Sequence, residues 1–121
     1  MKKILLIEDE SLLSELLEKR LKESGYDVLV AEDGEIGLAK VFSESPDLVL
    51  LDILLPKRNG MEILRKMHES NLTDKIPVVI ISNSGQPVEL EEAQKLGAKD
   101  WLVKADFDPD EVIEKVKTHI G

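Results

Sequence analysis

Five short apolar runs recur along the chain, separated by longer segments of mixed character. They occupy residues 3–7, 27–31, 47–51, 77–82 and 100–103. Because each run is rich in leucine or β-branched residues and is bounded by turn-forming residues, the pattern predicts five β-strands. The first, third and fourth runs show no polar alternation, which is typical of strands in a parallel sheet covered by helices on both faces. The other two are expected at the edges of that sheet.

The segments between these strands have helical periodicity. The first helix is predicted to be capped by Ser11 and to end at Gly25. Its apolar stripe consists of leucines at helical spacing: Leu12, Leu13, Leu16, Leu17 and Leu21. Shorter stripes predict three more helices, with Ile36, Leu38 and Val41 in the second, Met61, Leu64 and Met67 in the third, and Leu90, Ala93 and Leu96 in the fourth.

The fifth helix has the most specific start signal. Asp108 precedes Pro109 at the first helical position, and Glu111 stands three residues after Asp108, as in a capping box. The apolar face of this helix is supplied by Val112, Ile113 and Val116. Strands and helices alternate five times without a linker or low-complexity segment. This alternation predicts one three-layer α/β domain over residues 1–121, with right-handed crossovers.

Composition and charge exclude several classes of protein. The chain has 121 residues, enough for one hydrophobic core, and 16 basic against 25 acidic residues give a net charge of −9. This acidity argues against direct binding to nucleic acid, which depends on Lys and Arg meeting phosphates. The absence of cysteine excludes disulfides and thiolate metal sites. The apolar start of the chain stops at Glu8, too early for a signal peptide, so we expect a cytoplasmic location and no membrane partner.

The ends of four predicted strands carry side chains suited to one kind of chemistry. Glu8 and Asp9 follow the first strand, Asp52 the third and Lys104 the fifth, and Ser82 ends the fourth. Ligands of parallel α/β sheets bind beyond these carboxyl ends. Converging carboxylates repel one another unless a cation is present, and oxygen ligands favour a hard ion such as Mg²⁺. For Asp9 and Asp52 to share that ion, the first and third strands must be neighbours, which pushes the second strand to the outside. The fourth and fifth strands most simply continue on the far side, and the predicted order is then 2-1-3-4-5.

These groups are suited to phosphoryl transfer. Asp52 can be the attacking group, while Mg²⁺, Lys104 and Ser82 offset the charge on the phosphoryl oxygens. Taken singly, each residue has an ordinary explanation: an aspartate at a strand end often caps a helix, and a lone lysine there is usually solvated. Acidic residues 8–10 would also suit the first turn of a helix. Their combination at four strand ends favours a functional site.

Four motifs resemble those of the receiver domain of two-component response regulators, and together they span nearly the whole chain. They are LIEDE at 6–10, DLVLLDILLP at 47–56 with NG at 59–60, VIIS at 79–82 and GAKDWLVK at 97–104. The resemblance implies a doubly wound, flavodoxin-like (βα)5 fold. It also implies that Asp52 accepts a phosphoryl group from the phosphohistidine of a histidine kinase or phosphotransfer protein.

The resemblance implies roles for the residues around Asp52. Asp9, Asp52 and the backbone carbonyl of Leu54 would bind Mg²⁺ directly, with Glu8 acting through water. The phosphoryl oxygens would be held by Ser82 and Lys104, and these two residues would respond to phosphorylation together with Trp101. Trp101 stands at the family's aromatic switch position.

Movement of this ring would reshape the face made by the fourth helix, the fifth strand and the fifth helix. Such a domain is a signalling phosphoacceptor and not an enzyme in the usual sense, although it catalyses its own phosphorylation and slow dephosphorylation. It would act as a monomer or as a phosphorylation-dependent homodimer.

Three positions depart from the family pattern. Ala105 replaces the usual proline after the lysine, and because a cis bond before alanine costs about 2.5 to 4 kcal/mol, we expect this bond to be trans or held cis by packing. Asn83 places a larger polar group beside Ser82, where it could slow small phosphoryl donors or hydrogen-bond a phosphoryl oxygen. Leu54 is apolar where many receivers have a polar side chain, which predicts slow self-dephosphorylation. Neutral drift is the alternative explanation for Asn83 and Leu54.

Two other functions share part of this pattern. A phosphatase of the haloacid dehalogenase type requires a second aspartate two residues after the first, where this chain has Leu54. A receiver-like module that binds partners without being phosphorylated is the stronger alternative. Because the chain stops soon after the fifth helix, we expect its output to pass through an unknown protein partner, unless the chain is excised from a longer regulator.

Overall fold

The computed structural model describes residues 1–55, 57–82, 87–104 and 108–121, with side chains in the fourth helix described from Glu89 onward. The strands are β1 (Lys3–Ile7), β2 (Asp27–Ala31), β3 (Leu48–Asp52), β4 (Val78–Ser82) and β5 (Asp100–Val103). The helices are α1 (Ser11–Glu23), α2 (Gly34–Glu44), α3 (Gly60–Glu69), α4 (Pro87–Lys95) and α5 (Pro109–Ile120). The predicted alternation is confirmed, and each strand lies within one residue of its predicted bounds.

The five strands form one parallel sheet in the order β2-β1-β3-β4-β5. This is the predicted order, in which the shared cation site required β1 beside β3 and the remaining strands took the simplest arrangement. Ile7 at the end of β1 pairs with Leu51 in β3, and Asp52 pairs with Ile81 in β4. Since Ser82 pairs with Val103 in the same way, the carboxyl ends of β1, β3, β4 and β5 are nearly level. Residues at these ends therefore converge at one edge of the sheet.

Helices cover both faces of the sheet. Leu5 and Ile7 of β1 pack in a buried cluster with side chains of α2, α3 and α4, whereas Ile4 and Leu6 pack in a second cluster with α1 and α5. Every residue of β3 and β4 is buried, as their non-alternating sequences predict. The result is the predicted three-layer, flavodoxin-like fold. Within the described parts of the chain, no helix is long and apolar enough to cross a membrane.

Helix α1 differs from its prediction at its start and on its surface. The N-cap is Glu10, and Ser11 is the first helical residue instead of the predicted cap. Leu12 and Leu16 of the predicted stripe are 84% and 41% exposed. The prediction of a five-leucine buried face is wrong at these two positions. The five leucines extend around more of the helix surface than the sheet and α5 cover. Gly25 follows the helix in a left-handed conformation, φ +95°, consistent with the predicted end.

Helix α2 packs against its neighbours through glycines. Glycines do not form part of an apolar stripe, so this packing is not predicted from the sequence. Gly34 and Gly37 are buried together with Val41. A β-carbon on Gly37 would lie 2.8 Å from the side chain of Ile7, so the helix approaches β1 too closely for a larger residue. Ile36, which was predicted to face the core, is instead 43% exposed.

The remaining helices follow their predictions more closely. The Asp108 side chain accepts hydrogen bonds from the backbone N–H groups of Asp110 (2.8 Å) and Glu111 (3.2 Å), which confirms the cap of α5. The predicted apolar face of that helix is buried. In α3 and α4, the predicted stripes are buried at Leu64, Met67 and Ala93 and half-buried at Met61, Leu90 and Leu96.

Candidate functional site

The ammonium group of Lys104 contacts carboxylates at the carboxyl ends of β1 and β3. Its Nζ lies 2.8 Å from Oε1 of Glu8, 3.0 Å from Oδ2 of Asp52 and 3.4 Å from Oε1 of Glu10. The Lys104 side chain is only 7% exposed, and those of Glu8 and Asp52 are 1% and 4% exposed. The position of Lys104 is fixed locally by its backbone N–H, which donates to the Ser82 carbonyl at 2.7 Å. The structure therefore brings together Glu8, Asp52 and Lys104, as the sequence predicted.

Asp52 is held by the loop that follows β3. Its Oδ1 accepts a hydrogen bond from the Leu54 backbone N–H at 3.2 Å. Gly60, at the start of α3, donates its N–H to the Ile53 carbonyl at 2.8 Å. A β-carbon on Gly60 would overlap the backbone carbonyl oxygen of Asp52 and lie 2.8 Å from Cα of Ile53. Glycine at position 60 thus allows the helix to start directly against the backbone that presents Asp52.

The charges at this edge are unevenly balanced. Burial raises the pKa of the Glu8 carboxyl to about 7, although hydrogen bonds from Lys104 and from the Glu10 N–H act in the opposite direction. Burial also lowers the pKa of Lys104, but its hydrogen bonds and charge interactions with Glu8 and Asp52 outweigh burial and leave the pKa above its ordinary value. One ammonium group thus faces two buried carboxyl groups, those of Glu8 and Asp52, and the exposed carboxyl group of Glu10.

Three carboxylates at this edge could bind a cation. Glu8, Asp9 and Asp52 can each offer one oxygen such that all three oxygens lie within 4.8 Å of one another. Asp9 is exposed, so the cluster opens to solvent on one side. Oε1 of Glu8 is buried, and its contact is the 2.8 Å ion pair with Lys104. A cluster that offers only carboxylate oxygens fits a hard divalent cation such as Mg²⁺.

The other predicted site residues lie around this cluster. Ser82 is buried at the end of β4, where its carbonyl accepts the hydrogen bond from Lys104. The Leu54 side chain is 61% exposed. Leu54 stands two residues after Asp52, and its backbone N–H donates the hydrogen bond to the Asp52 carboxylate. Asn83 and Ala105 lie outside the described residues, and so does the bond between Lys104 and Ala105.

Trp101 lies on β5, farther from the carboxylates. It pairs with Ile80 in the sheet and packs, half-buried, against the apolar cluster on the face of α2, α3 and α4. Trp101 also lines a cavity of about 340 Å³ between α4 and β5. Leu90 and Ala93 line this cavity from α4, and Lys99 and Asp100 line it from the start of β5. Trp101 thus lies between the buried core and the surface between α4 and β5.

Two contacts at this edge were not predicted from the sequence. Glu10 reaches Lys104, which stands 94 residues later, and nothing in the local sequence indicates this contact. Asp33 caps α2 by accepting from the Ile36 N–H at 2.9 Å, and its second oxygen lies 3.6 Å from Nζ of Lys57 in the loop after β3. The cap could have been predicted, because Asp33 directly precedes the first helical residue.

Comparisons with known proteins identify the family. A model of the response regulator receiver domain matches residues 4–117. The alkaline phosphatase synthesis transcriptional regulatory protein PhoP of Bacillus subtilis is 38% identical over 116 residues, which are 96% of this chain and 47% of that protein. The chain thus spans about half the length of this curated relative.

Solved structures show the same fold over the whole chain. TrrA of Thermotoga maritima, solved in complex with Mg²⁺ and BeF, is 33% identical with a TM-score of 0.86 and covers 99% of this chain and 100% of that one. A CheY-like receiver domain of Methanospirillum hungatei is 27% identical with a TM-score of 0.90 and covers 98% and 92% of the two chains. The chain belongs to the receiver domains of two-component response regulators, which are signalling phosphoacceptors.

Proposed function

We propose that Asp52 accepts a phosphoryl group from the phosphohistidine of a histidine kinase or phosphotransfer protein, in a reaction that requires Mg²⁺. The observation that carries this proposal is the contact between Lys104 Nζ and Asp52 Oδ2 at 3.0 Å, inside a cluster of three carboxylates. An aspartate beside an ammonium group can attack phosphorus through a carboxylate oxygen. The same ammonium can then bind an oxygen of the transferred group.

The step is an exchange of one bond to phosphorus for another. A carboxylate oxygen of Asp52 forms the new O–P bond, and the P–N bond of the phosphohistidine breaks, leaving its electron pair on the imidazole nitrogen. Lys104 offsets the charge of the phosphoryl oxygens, and Ser82, at the end of the neighbouring strand, would donate to another of them. Asp9, Asp52 and the Leu54 carbonyl would hold Mg²⁺ directly and Glu8 through water, and the ion supplies further positive charge to these oxygens when it is bound.

The proposed output is a change at the surface between α4, β5 and α5. Lys104 directly follows β5, and its backbone N–H is hydrogen-bonded to the Ser82 carbonyl, so movement at the phosphoryl site acts on the end of the strand that carries Trp101. The cavity beside Trp101 gives the ring space to change position. This surface would bind a downstream protein, or a further segment of a longer regulator as the length of the Bacillus subtilis relative suggests. We place this signalling in the cytoplasm, with no direct contact to nucleic acid or membrane.

Mass spectrometry tests the acceptor. The protein is incubated with Mg²⁺ and either acetyl phosphate or a phosphorylated histidine kinase, the kinase serving in case Asn83 restricts small donors. We expect one phosphoryl adduct in the wild type and in Asp27→Asn, a matched control at an exposed aspartate, and none in Asp52→Asn. Absence of an Asp52-dependent adduct with every donor would favour the alternative, a module that binds partners without phosphorylation.

Calorimetric titration tests the cation site. Mg²⁺ is expected to bind the wild type in a single event, and Asp9→Asn is expected to weaken this binding by at least roughly tenfold because it removes a charged ligand. Glu15→Gln removes an equal charge from the exposed side of α1 and is expected to leave the affinity nearly unchanged. Equal affinities of wild type and Asp9→Asn would exclude Asp9 as a ligand.

A further inference from the structure

Glu10 breaks a local rule of helix formation. It is the N-cap of α1, with an extended backbone at φ −80° and ψ 105°, but its side chain makes no capping hydrogen bond. Ser, Thr, Asp and Asn are the residues that cap a helix well, and their side chains are shorter than that of glutamate. Residues that break a local rule in this way are concentrated at functional sites.

The Glu10 side chain turns away from the helix and reaches Lys104. Its Oε1 lies 3.4 Å from Nζ of Lys104, and its backbone N–H donates to Oε2 of Glu8 at 3.0 Å. The Glu10 side chain is 55% exposed, whereas the other two carboxylates on this ammonium, those of Glu8 and Asp52, are almost fully buried. Of these three partners, Glu10 is therefore the one that can leave Lys104 without exposing an unpaired buried charge.

The contact has a consequence for any anion that binds at Asp52. A phosphoryl group brings oxygens that need donors, and the ammonium of Lys104 has three N–H groups to share among its partners. Glu10 engages this ammonium from the solvent side and adds a negative charge near the place where the phosphoryl oxygens would lie. Both effects disfavour the bound anion.

We propose that Glu10 is a positioning residue that holds Lys104 when Asp52 is free and competes with phosphoryl oxygens for its ammonium. This inference rests on the proposed phosphoacceptor function. The competition lowers the affinity of the site for a phosphoryl group or its analogue. Since exposed ion pairs contribute little, removing the competition is expected to tighten binding by about two- to fivefold.

Binding of beryllofluoride at saturating Mg²⁺ measures this effect. Beryllofluoride stands for the phosphoryl group on Asp52, and its binding is followed by fluorine NMR and by calorimetry in four proteins. Glu10→Gln removes the charge, and Glu10→Asp keeps the charge but shortens the side chain so that the 3.4 Å contact with Lys104 is lost. Glu15→Gln is the matched control for net charge. Thermal unfolding of each variant shows that the fold is retained, and Glu10→Asp is also able to cap α1.

We expect Glu10→Gln and Glu10→Asp to bind beryllofluoride more tightly than the wild type by a similar factor, and Glu15→Gln to match the wild type. Unchanged affinity in both Glu10 variants would overturn the inference. So would tighter binding in Glu10→Gln alone, which would indicate a distant charge effect, or an equal gain in Glu15→Gln, which would indicate net charge. If the wild type itself does not bind beryllofluoride, the proposed phosphoacceptor function fails first.

Discussion

The ammonium of Lys104 lies 3.0 Å from Oδ2 of Asp52, and both side chains are almost fully buried. The two residues come from the ends of β5 and β3, which are separated in the sheet by β4. Lys104 also contacts Glu8, so one buried ammonium group is shared by two buried carboxyl groups. Removing one partner of a buried ion pair leaves uncompensated charge, which is costly.

Lys104→Met is therefore expected to destabilise the protein in the absence of metal. The substitution keeps much of the side-chain volume but leaves Glu8 and Asp52 without their cation, so we expect the free energy of unfolding at pH 7 to fall by about 3 kcal/mol. Mg²⁺ should restore part of this loss. Urea denaturation with and without Mg²⁺ measures both effects. Lys117→Met, at an exposed position of α5, is the control, and an equal loss in both variants would show that the buried charges are not the cause.

Gly60→Ala is expected to disturb the backbone of the acceptor. A β-carbon at position 60 would overlap the Asp52 carbonyl, and neither backbone segment can move without displacing β3 or α3. We expect the free energy of unfolding to fall by at least about 2 kcal/mol and the rate of phosphorylation to fall with it. Ser43→Ala, at an exposed position in α2, should change stability by less than about 0.5 kcal/mol. A Gly60→Ala variant as stable as this control would contradict the close approach.

Asp100 gives a prediction for the dependence of stability on pH. Its Oδ2 lies 3.1 Å from Nζ of Lys115 and 3.3 Å from Nε2 of His119, and its Oδ1 accepts from the Trp101 N–H at 3.0 Å. Burial raises the pKa of Asp100, but these hydrogen bonds and the charge of Lys115 outweigh burial and hold the pKa below its ordinary value of 3.8. The ionised form is thus favoured by folding, and its stabilisation is present above pH 3.8 and lost as the pH falls through the folded-state pKa.

Asp100→Asn tests this sign. At pH 7, the variant is expected to be less stable than the wild type by up to about 1 kcal/mol, because the carboxylate and the Lys115 ammonium are partly exposed. At pH 3 the difference should shrink. Denaturant unfolding at both pH values measures it, and a difference that grows toward pH 3 would reverse the assigned direction.

Leu54 is expected to slow the loss of the phosphoryl group. Its side chain is apolar and 61% exposed beside Asp52, so it offers no group to orient an attacking water. Leu54→Asn should shorten the half-life of the aspartyl phosphate several-fold, and Leu54→Met should leave it nearly unchanged. Decay of the phosphorylated mass measures the half-life. A wild-type half-life of seconds that is unchanged in Leu54→Asn would count against this role.

The strands and the residues at their ends were predictable because their signals are local. Buried parallel strands have continuous apolar sequences. Parallel pairing brings their carboxyl ends to one edge of the sheet, whatever the sequence of the connecting segments. The proximity of Glu8, Asp52 and Lys104 follows from that geometry and from the strand order. The cap of α5 was predictable for the same reason, because Asp108 and Pro109 act within one helical turn.

The predictions that the structure corrects, and the contacts that were not predicted, concern features that depend on neighbouring elements. Leu12 and Leu16 belong to a helical stripe, but the width of the covered face of α1 is set by the sheet and α5. Gly37 packs against the side chain of Ile7. The spacing of apolar residues does not predict such a contact, because glycine has no apolar side chain. The acidic run at residues 8–10 predicts only that Glu10 suits the first turn of a helix. Its contact with Lys104 forms because the Glu10 side chain turns away from that helix.

Chemical mapping of the phosphorylated residue decides whether Asp52 is the acceptor. Borohydride reduces an aspartyl phosphate to homoserine, so the protein phosphorylated in the presence of Mg²⁺ is reduced, digested and sequenced by mass spectrometry. We predict homoserine at position 52 alone, dependent on both donor and Mg²⁺, and absent from Asp52→Asn. Homoserine at another aspartate, or none at position 52 after transfer from a phosphorylated kinase, would contradict the assignment of Asp52.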